Sequence, residues 1–240
     1  MPRAVVCLPT YNERENLAPM VHALLERIGP DDRLLVIDDH SPDGTGEIAD
    51  GLAAEHPQVA VLHRGRRDGL GPAYLAGFRR ALADGAELVL EMDCDFSHDP
   101  SDVERLIDAS RQADVVLGSR YVHGGRTENW GLGRRFVSRA GSLYAQVLLA
   151  APVRDLTGGF KCYRREVLER IDLEAVSSRG YAFQIETTYR ALRAGFRVIE
   201  IPITFADREA GSSKMSRSIV FEAIWRVPFL AALRLLGRLR

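Results

Sequence analysis

Short apolar runs alternate with helical patterns along this chain, and that alternation constrains its fold more than any other feature. The runs fall at residues 4–8, 34–38, 59–63, 88–92 and 114–119. Between them, residues 12–15 open a helix with Leu17, Val21, Leu24, Leu25 and Ile28 on one face, a second helix passes through Ile48, Leu52 and Ala53, and a third spans 72–83. Apolar strands separated by helices imply an α/β protein with a mostly parallel sheet covered by helices on both faces. Further along, Gly158 and Gly159 mark a turn into another short strand. A helix over 184–194 is expected to end at Gly195 before a last strand at 198–203. In such a sheet the loops leaving the strands share one edge, and that edge is where ligands bind.

Those loops are rich in chemistry. They offer the Tyr11 ring, the carboxylates of Glu13, Asp38, Asp39, Asp93 and Asp95, several guanidiniums, and glycines whose bare backbone can approach a phosphate. A nucleotide diphosphate joined to a second group needs such an assortment. The fourth run delivers Asp93 and Asp95 one residue apart; in extended chain they point the same way and can converge on one hard cation. A solvated acidic turn is the alternative. Asp93, Asp95, Ser97 and Glu104 imitate the spacing of an EF-hand calcium loop, but His98 stands where that loop requires glycine and a strand leads in. The Gly69-Leu70-Gly71 turn is not a dinucleotide fingerprint, because Tyr74 occupies the last glycine position and the turn follows the third strand. Arg134, Arg135 and Arg139 begin an amphipathic helix. Taken singly, each reads as a solvated side chain; grouped after Arg120, they suggest a pocket for an anion.

Composition narrows the partners. The 240 residues suit one or two domains, and a formal charge of −1 argues against a general nucleic-acid binder, so a charged ligand must be met locally. Cys7, Cys94 and Cys162 include no CxxC pair and read as thiols in a reducing compartment. The N-terminus enters a strand without a signal-peptide core, so a cytoplasmic protein is expected. From Ser216 the chain is apolar yet interrupted: its longest uncharged interval, 227–233, falls far short of the ~20 residues that span a bilayer. Glu222, Arg226, Arg234 and Arg238 hold one drifting face, with Phe221, Ile224, Trp225, Phe229 and Leu236 elsewhere, and Pro228 is expected to kink or divide the helix. Such a segment suits a membrane interface or a partner's helices, the alternative being a helix packed on its own domain.

Seven motifs, in order, resemble a known family: PTYNERENL, VIDDHSPDGTG, GLGPAYLAGF, MDCDFSHDP, GSRYVHGG, DLTGGFKCYRR and GSSKMS. Together they resemble the polyprenyl-phosphate (dolichol-phosphate) mannosyltransferases of the inverting GT-A glycosyltransferases, family 2. The resemblance implies a GT-A catalytic domain over 1–215, an interfacial or partner-binding helix over 216–240, and mannose transfer from GDP-mannose to a polyprenyl monophosphate. It implies that Pro9, Tyr11 and Glu13 border the base and ribose, that Asp39 fixes base or ribose hydroxyls, and that Gly69 and Gly71 lie against the nucleotide. Asp93, Asp95 and Ser97 would serve Mg²⁺ or Mn²⁺ and the diphosphate, with Ser97 standing where some relatives carry Gln. Arg120, Arg134 and Ser138 would hold the lipid phosphate, and Arg208 and Lys214 would close over the donor; Asp95, Arg120 and Lys214 form the catalytic set. The implied location is peripheral, on the cytoplasmic face, reached through the last helix or a membrane-anchoring subunit. Other readings are a different donor such as UDP-glucose, a water-soluble acceptor, or a nucleotide-sugar-binding subunit without turnover.

Overall fold

The computed structural model describes residues 3–176, 178, 180–207 and 217–235. The first half runs β1 (Ala4–Thr10), α1 (Leu17–Leu25), β2 (Arg33–Asp38), α2 (Thr45–Glu55), β3 (Val59–His63), α3 (Leu70–Ala83) and β4 (Leu88–Glu91). Then come α4 (Asp102–Ala109), β5 (Val115–Ser119), β6 (Arg126–Thr127), α5 (Leu132–Leu149), β7 (Lys161–Arg164) and α6 (Arg165–Arg170). The described chain closes with α7 (Gly180–Arg193), β8 (Val198–Pro202), β9 (Thr204–Phe205) and α8 (Arg217–Leu235).

Seven strands form one sheet in the order β3-β2-β1-β4-β7-β5-β8, and every neighbouring pair is parallel except those made by β7. The central strands are mostly apolar because both faces of the sheet are covered, with Glu91 of β4 and Lys161 of β7 among the buried charged exceptions. Alternate residues of β1 serve opposite cores: Val5 and Cys7 pack with Tyr74, Phe78 and Phe183, while Val6 and Leu8 pack with Leu17, Met20 and Val103. From β1 the chain builds outward through β2 and β3, then returns to place β4 on the other side. The switch point between β1 and β4 is where a doubly wound sheet opens a crevice.

Several boundaries differ from expectation. Helix α1 starts at Leu17, not within 12–15, because Asn12 adopts φ 53° and the following turn is tied to the β2–α2 loop by Asn12 N–H to Ser41 Oγ (3.1 Å) and Glu13 N–H to Thr45 Oγ1 (3.0 Å). Helix α7 begins at Gly180, ahead of the expected 184. The short α4, α6 and the two-stranded β6–β9 ribbon have no counterpart in the sequence reading. Helix α8 runs unbroken through Pro228. Proline cannot donate to the carbonyl four residues back, Ile224, and Tyr144 of α5 supplies that bond instead, its hydroxyl 2.9 Å from Ile224 O. Among the described residues no helix is long and apolar enough to cross a membrane.

Candidate active site

The donor half of the crevice is built on β1, β2 and the β3–α3 loop. Pro9 is half-buried in β1, in register with Ile37 of β2, and the next loop carries Tyr11, over whose ring the Arg67 guanidinium lies at 3.9 Å. Glu13 supports its own helix: its carbonyl accepts the Leu17 N–H and its carboxylate accepts Asn16 Nδ2 at 2.8 Å. Asp39 is buried, and its carboxylate accepts the Gly69 N–H (3.0 Å), the Asp68 N–H (3.4 Å) and the Arg64 guanidinium. Its visible work is to hold the glycine loop rather than to offer a bare carboxylate to a ribose. Neighbouring Asp38 accepts the Ser41 N–H with one oxygen, while its Oδ1 is buried without a hydrogen-bond partner. Gly69 sits at φ 98°, in the left-handed region. Gly71 serves packing: a Cβ there would lie 2.8 Å from the Ser178 carbonyl and 3.2 Å from the Phe183 ring.

The acidic loop leaves β4 across the switch point. Asp95 is 3% exposed and its Oδ1 accepts the Ser97 N–H at 3.1 Å, folding the chain into a tight turn that buries Ser97 and His98. Asp93 receives the Tyr74 hydroxyl at 3.4 Å, and the Asp93 N–H donates to His98 Nδ1 at 3.4 Å. Burial pushes the His98 ring down to about 4 despite the pull of Asp95, so at neutral pH it is an uncharged acceptor shaping the loop. Burial and Asp93 push the Tyr74 phenol well up, which keeps its proton on and its role that of donor. Among the described residues no three His, Cys, Asp or Glu side chains gather as a metal cage. Two carboxylates and a hydroxyl fit Mg²⁺ or Mn²⁺ nonetheless, since such ions commonly take one or two carboxylates and complete their shell with substrate phosphates.

The third wall is basic. Arg120, just past β5, is 6% exposed and clamps Asp155: Asp155 Oδ2 accepts the Arg120 N–H (2.9 Å) and Nε (2.7 Å), and Oδ1 accepts Nη2 (2.6 Å). Burial alone would raise the Asp155 carboxyl; the guanidinium reverses this and holds it below the usual carboxylate range. Tyr121, Trp130 and Phe205 surround the guanidinium at 5.1, 5.6 and 5.4 Å. Arg134 of α5 stacks on Trp130 at 4.1 Å and pairs with Asp207 at 2.7 Å. Ser138, one turn on, accepts the Tyr121 hydroxyl at 2.7 Å. The ribbon ties this wall to the acidic loop, for Phe205 bridges His98 and the Ala206 N–H donates to Ser97 O at 3.1 Å.

The structure thus gathers Tyr11, Glu13, Asp39 and Gly69 around one end of the edge, Asp93, Asp95 and Ser97 at its centre, and Arg120, Arg134 and Ser138 on the far side. Arg208 and Lys214 lie outside the described residues. Tyr74, His98, Asp155 and Asp207 join the site without having been read from sequence. Tyr74 carried one signal, as the side chain that breaks the glycine fingerprint.

Residues 5–172 match the profile of glycosyl transferase family 2. An undecaprenyl-phosphate mannosyltransferase of Micrococcus luteus is 49% identical over 94% of this chain and 92% of its own length. A polyprenol monophosphomannose synthase of Mycolicibacterium smegmatis is 50% identical over 94% of this chain and 85% of its own. Among solved structures, glucosyl-3-phosphoglycerate synthase of Mycobacterium tuberculosis with Mn²⁺, UDP-glucose and phosphoglyceric acid superposes with TM-score 0.68 at 19% identity, covering 94% of this chain and 80% of that one. A mannosyltransferase of Pyrobaculum calidifontis with GDP-Man and Mn²⁺ gives TM-score 0.60 at 18% identity over 98% and 74%. The fold is therefore that of the GT-A glycosyltransferases.

Proposed function

The chain is a glycosyltransferase of glycosyl transferase family 2, and from that premise we propose that it transfers mannose from GDP-mannose to a polyprenyl monophosphate with inversion at the anomeric carbon. The observation that carries the reading is the pairing, at one sheet edge, of an acidic loop suited to a cation-bound diphosphate with an arginine wall suited to a second anion. The relatives' names supply the sugar and the lipid, and the neighbours with Mn²⁺ and a nucleotide sugar favour a divalent cation.

Tyr11 and the Asp39-ordered glycine loop receive the nucleotide. Asp93 and Asp95, with Ser97 in the same turn, would hold Mg²⁺ or Mn²⁺, which when bound neutralises charge building on the departing diphosphate. Arg208 and Lys214 are assigned to the same phosphates. On the other side Arg134, Ser138 and Arg120 orient the acceptor phosphate for attack opposite the leaving group. That phosphate has a second pKa of about 6 and is largely a dianion at neutral pH, so the site requires no general base. Arg134 is the exchangeable contact: its pair with Asp207 is 30% and 44% exposed, and exposed pairs are worth only about 0–1 kcal/mol, so an incoming phosphate can displace Asp207. Arg120 stays bound to Asp155 and contributes a fixed field.

A lipid acceptor places the enzyme at a membrane surface, and we assign residues 216–240 together with α5 to that contact, on the cytoplasmic face. The exposed large hydrophobic side chains among the described residues all lie on α5 and α8, including Leu132 (83%), Phe136 (75%) and Trp225 (77%). Exposed Arg135 and Arg139 flank them, suiting anionic headgroups.

The test is transfer of radiolabel from GDP-mannose to a polyprenyl monophosphate with Mg²⁺ or Mn²⁺, scored by extraction into organic solvent, with UDP-glucose in parallel. Label from GDP-mannose alone, abolished in Asp95→Ala with the fold intact by circular dichroism, is expected. Label only from UDP-glucose would overturn the donor, and full activity of Asp95→Ala would overturn the site.

A further inference from the structure

Arg226 of α8 reaches across to the start of α7. Its Nε donates to Ser178 Oγ at 2.7 Å and its Nη2 to Glu186 Oε2 at 3.3 Å, while the Ser178 hydroxyl itself donates to Glu186 Oε2. Glu186 is wholly buried, and Arg190 satisfies its other oxygen with bonds of 3.0 and 2.9 Å. Ser178 is therefore held from two sides, and α8 supplies one of them. The far face of this assembly is the donor site. The Ser178 carbonyl lies where a Cβ on Gly71 would be 2.8 Å away, so it sets how closely the first turn of α3 can approach. Gly69, two residues earlier, gives its N–H to Asp39, and Tyr74, less than a turn later, stacks on Phe183 (5.9 Å, 4°) and hydrogen-bonds Asp93.

We propose that Arg226 is a positioning residue for donor binding: by pinning Ser178 it fixes the seat of the Gly69–Tyr74 segment, and with it the glycine loop on Asp39 and the hydroxyl on Asp93. The inference rests on the glycosyltransferase reading. It makes the last helix, whose Val227 and Leu230 are buried in the same core as Phe183, part of the donor site's support as well as a surface for lipid.

The experiment is calorimetric titration of the full chain with GDP and Mn²⁺, beside steady-state kinetics. Arg226→Met and Ser178→Ala are each expected to weaken GDP binding and raise the donor KM by about ten- to a hundredfold, the scale of losing one charge-assisted hydrogen bond that orders a loop. The kcat at saturating donor is expected to stay within about threefold, and Arg226→Lys, which keeps the charge but cannot span both partners, to fall between. Wild-type affinity for GDP in both Arg226→Met and Ser178→Ala overturns the proposal. So does a fall in kcat and melting temperature with the donor KM unchanged, which marks a merely structural contact. Failure of the wild-type chain to bind GDP would instead strike the glycosyltransferase donor assignment itself.

Discussion

Replacing Asp155 with Asn isolates the buried charge pair at the centre of the basic wall. The substitution preserves shape but removes the charge, leaving the Arg120 guanidinium, whose side chain is 4% exposed, without its counterion. Both Asp155 oxygens accept from Arg120, and Oδ1 also accepts from Thr157 at 3.3 Å, so either orientation of the new amide aims its NH₂ at a donor. Removing one member of a buried pair costs about 3–5 kcal/mol. The cation–π attraction of the three rings around the guanidinium is present before and after the substitution and does not enter the difference. A loss of about 3–5 kcal/mol follows, or about 6–20 °C in melting temperature for a chain of this size. Urea unfolding by intrinsic fluorescence measures it directly. The double variant Arg120→Met/Asp155→Asn removes both charges and is expected to regain at least half of the stability while remaining inactive, which separates folding from transfer. A loss below about 1 kcal/mol in Asp155→Asn would refute the reasoning, because the guanidinium would then have found another way to be solvated.

Two further outcomes concern charges elsewhere in the molecule. Arg134→Ala is expected to raise the acceptor KM, whereas Asp207→Asn, by removing the competing carboxylate, is expected to lower it up to about fivefold, the ceiling for an exposed pair; initial rates against acceptor concentration distinguish them. Lys161 is fully buried, and burial brings its ammonium down to about 8 from an ordinary value near 10.5. The unfolded chain binds that proton more readily between these values, so stability should rise with pH from about 8 to about 10, and Lys161→Met, followed by chemical denaturation across that range, should lose the rise.

Much of the sheet was legible because parallel strands buried on both faces must be apolar from end to end, and runs such as Leu34 to Val36 carry no competing pattern. What escaped was polar matter inside the core. Strand β7 opens on Lys161, a residue read as exposed unless its partners are known, and those partners, Gln184 and Thr187, come 23 and 26 residues later. The same obstacle hid the charge pairs: Arg120 and Asp155 are 35 residues apart, Arg134 and Asp207 are 73 apart, and no local spacing rule spans such distances. Asp93 and Asp95 were legible as a pair because both follow directly on one strand end, but the Tyr74 hydroxyl that steadies Asp93 arrives from helix α3. Pro228 misled for a related reason. Local rules foresee the broken hydrogen bond; they do not foresee a tyrosine 80 residues before Ile224 that gives its carbonyl another donor.

Under the proposed function, the two arginines of the acceptor wall divide the work that transfer to an anion demands. A field that stabilises a transition state is most effective when its dipoles need no reorganisation, and Arg120 is fixed in this way by a buried carboxylate, a backbone N–H on the same oxygen and three rings. Fixed charge, however, is already neutralised charge, and is poorly suited to capturing an incoming anion. Capture needs a cation whose partner leaves cheaply, which the half-exposed Arg134–Asp207 pair provides. The proposal therefore predicts a separation in kinetics: changes at Arg134 and Asp207 are expected to act on how tightly the acceptor phosphate is held, and changes at Arg120 and Asp155 on turnover once it is there. An arrangement in which both arginines were buried would bind the lipid phosphate poorly, and one in which both were exposed would have to order its charges anew in every cycle.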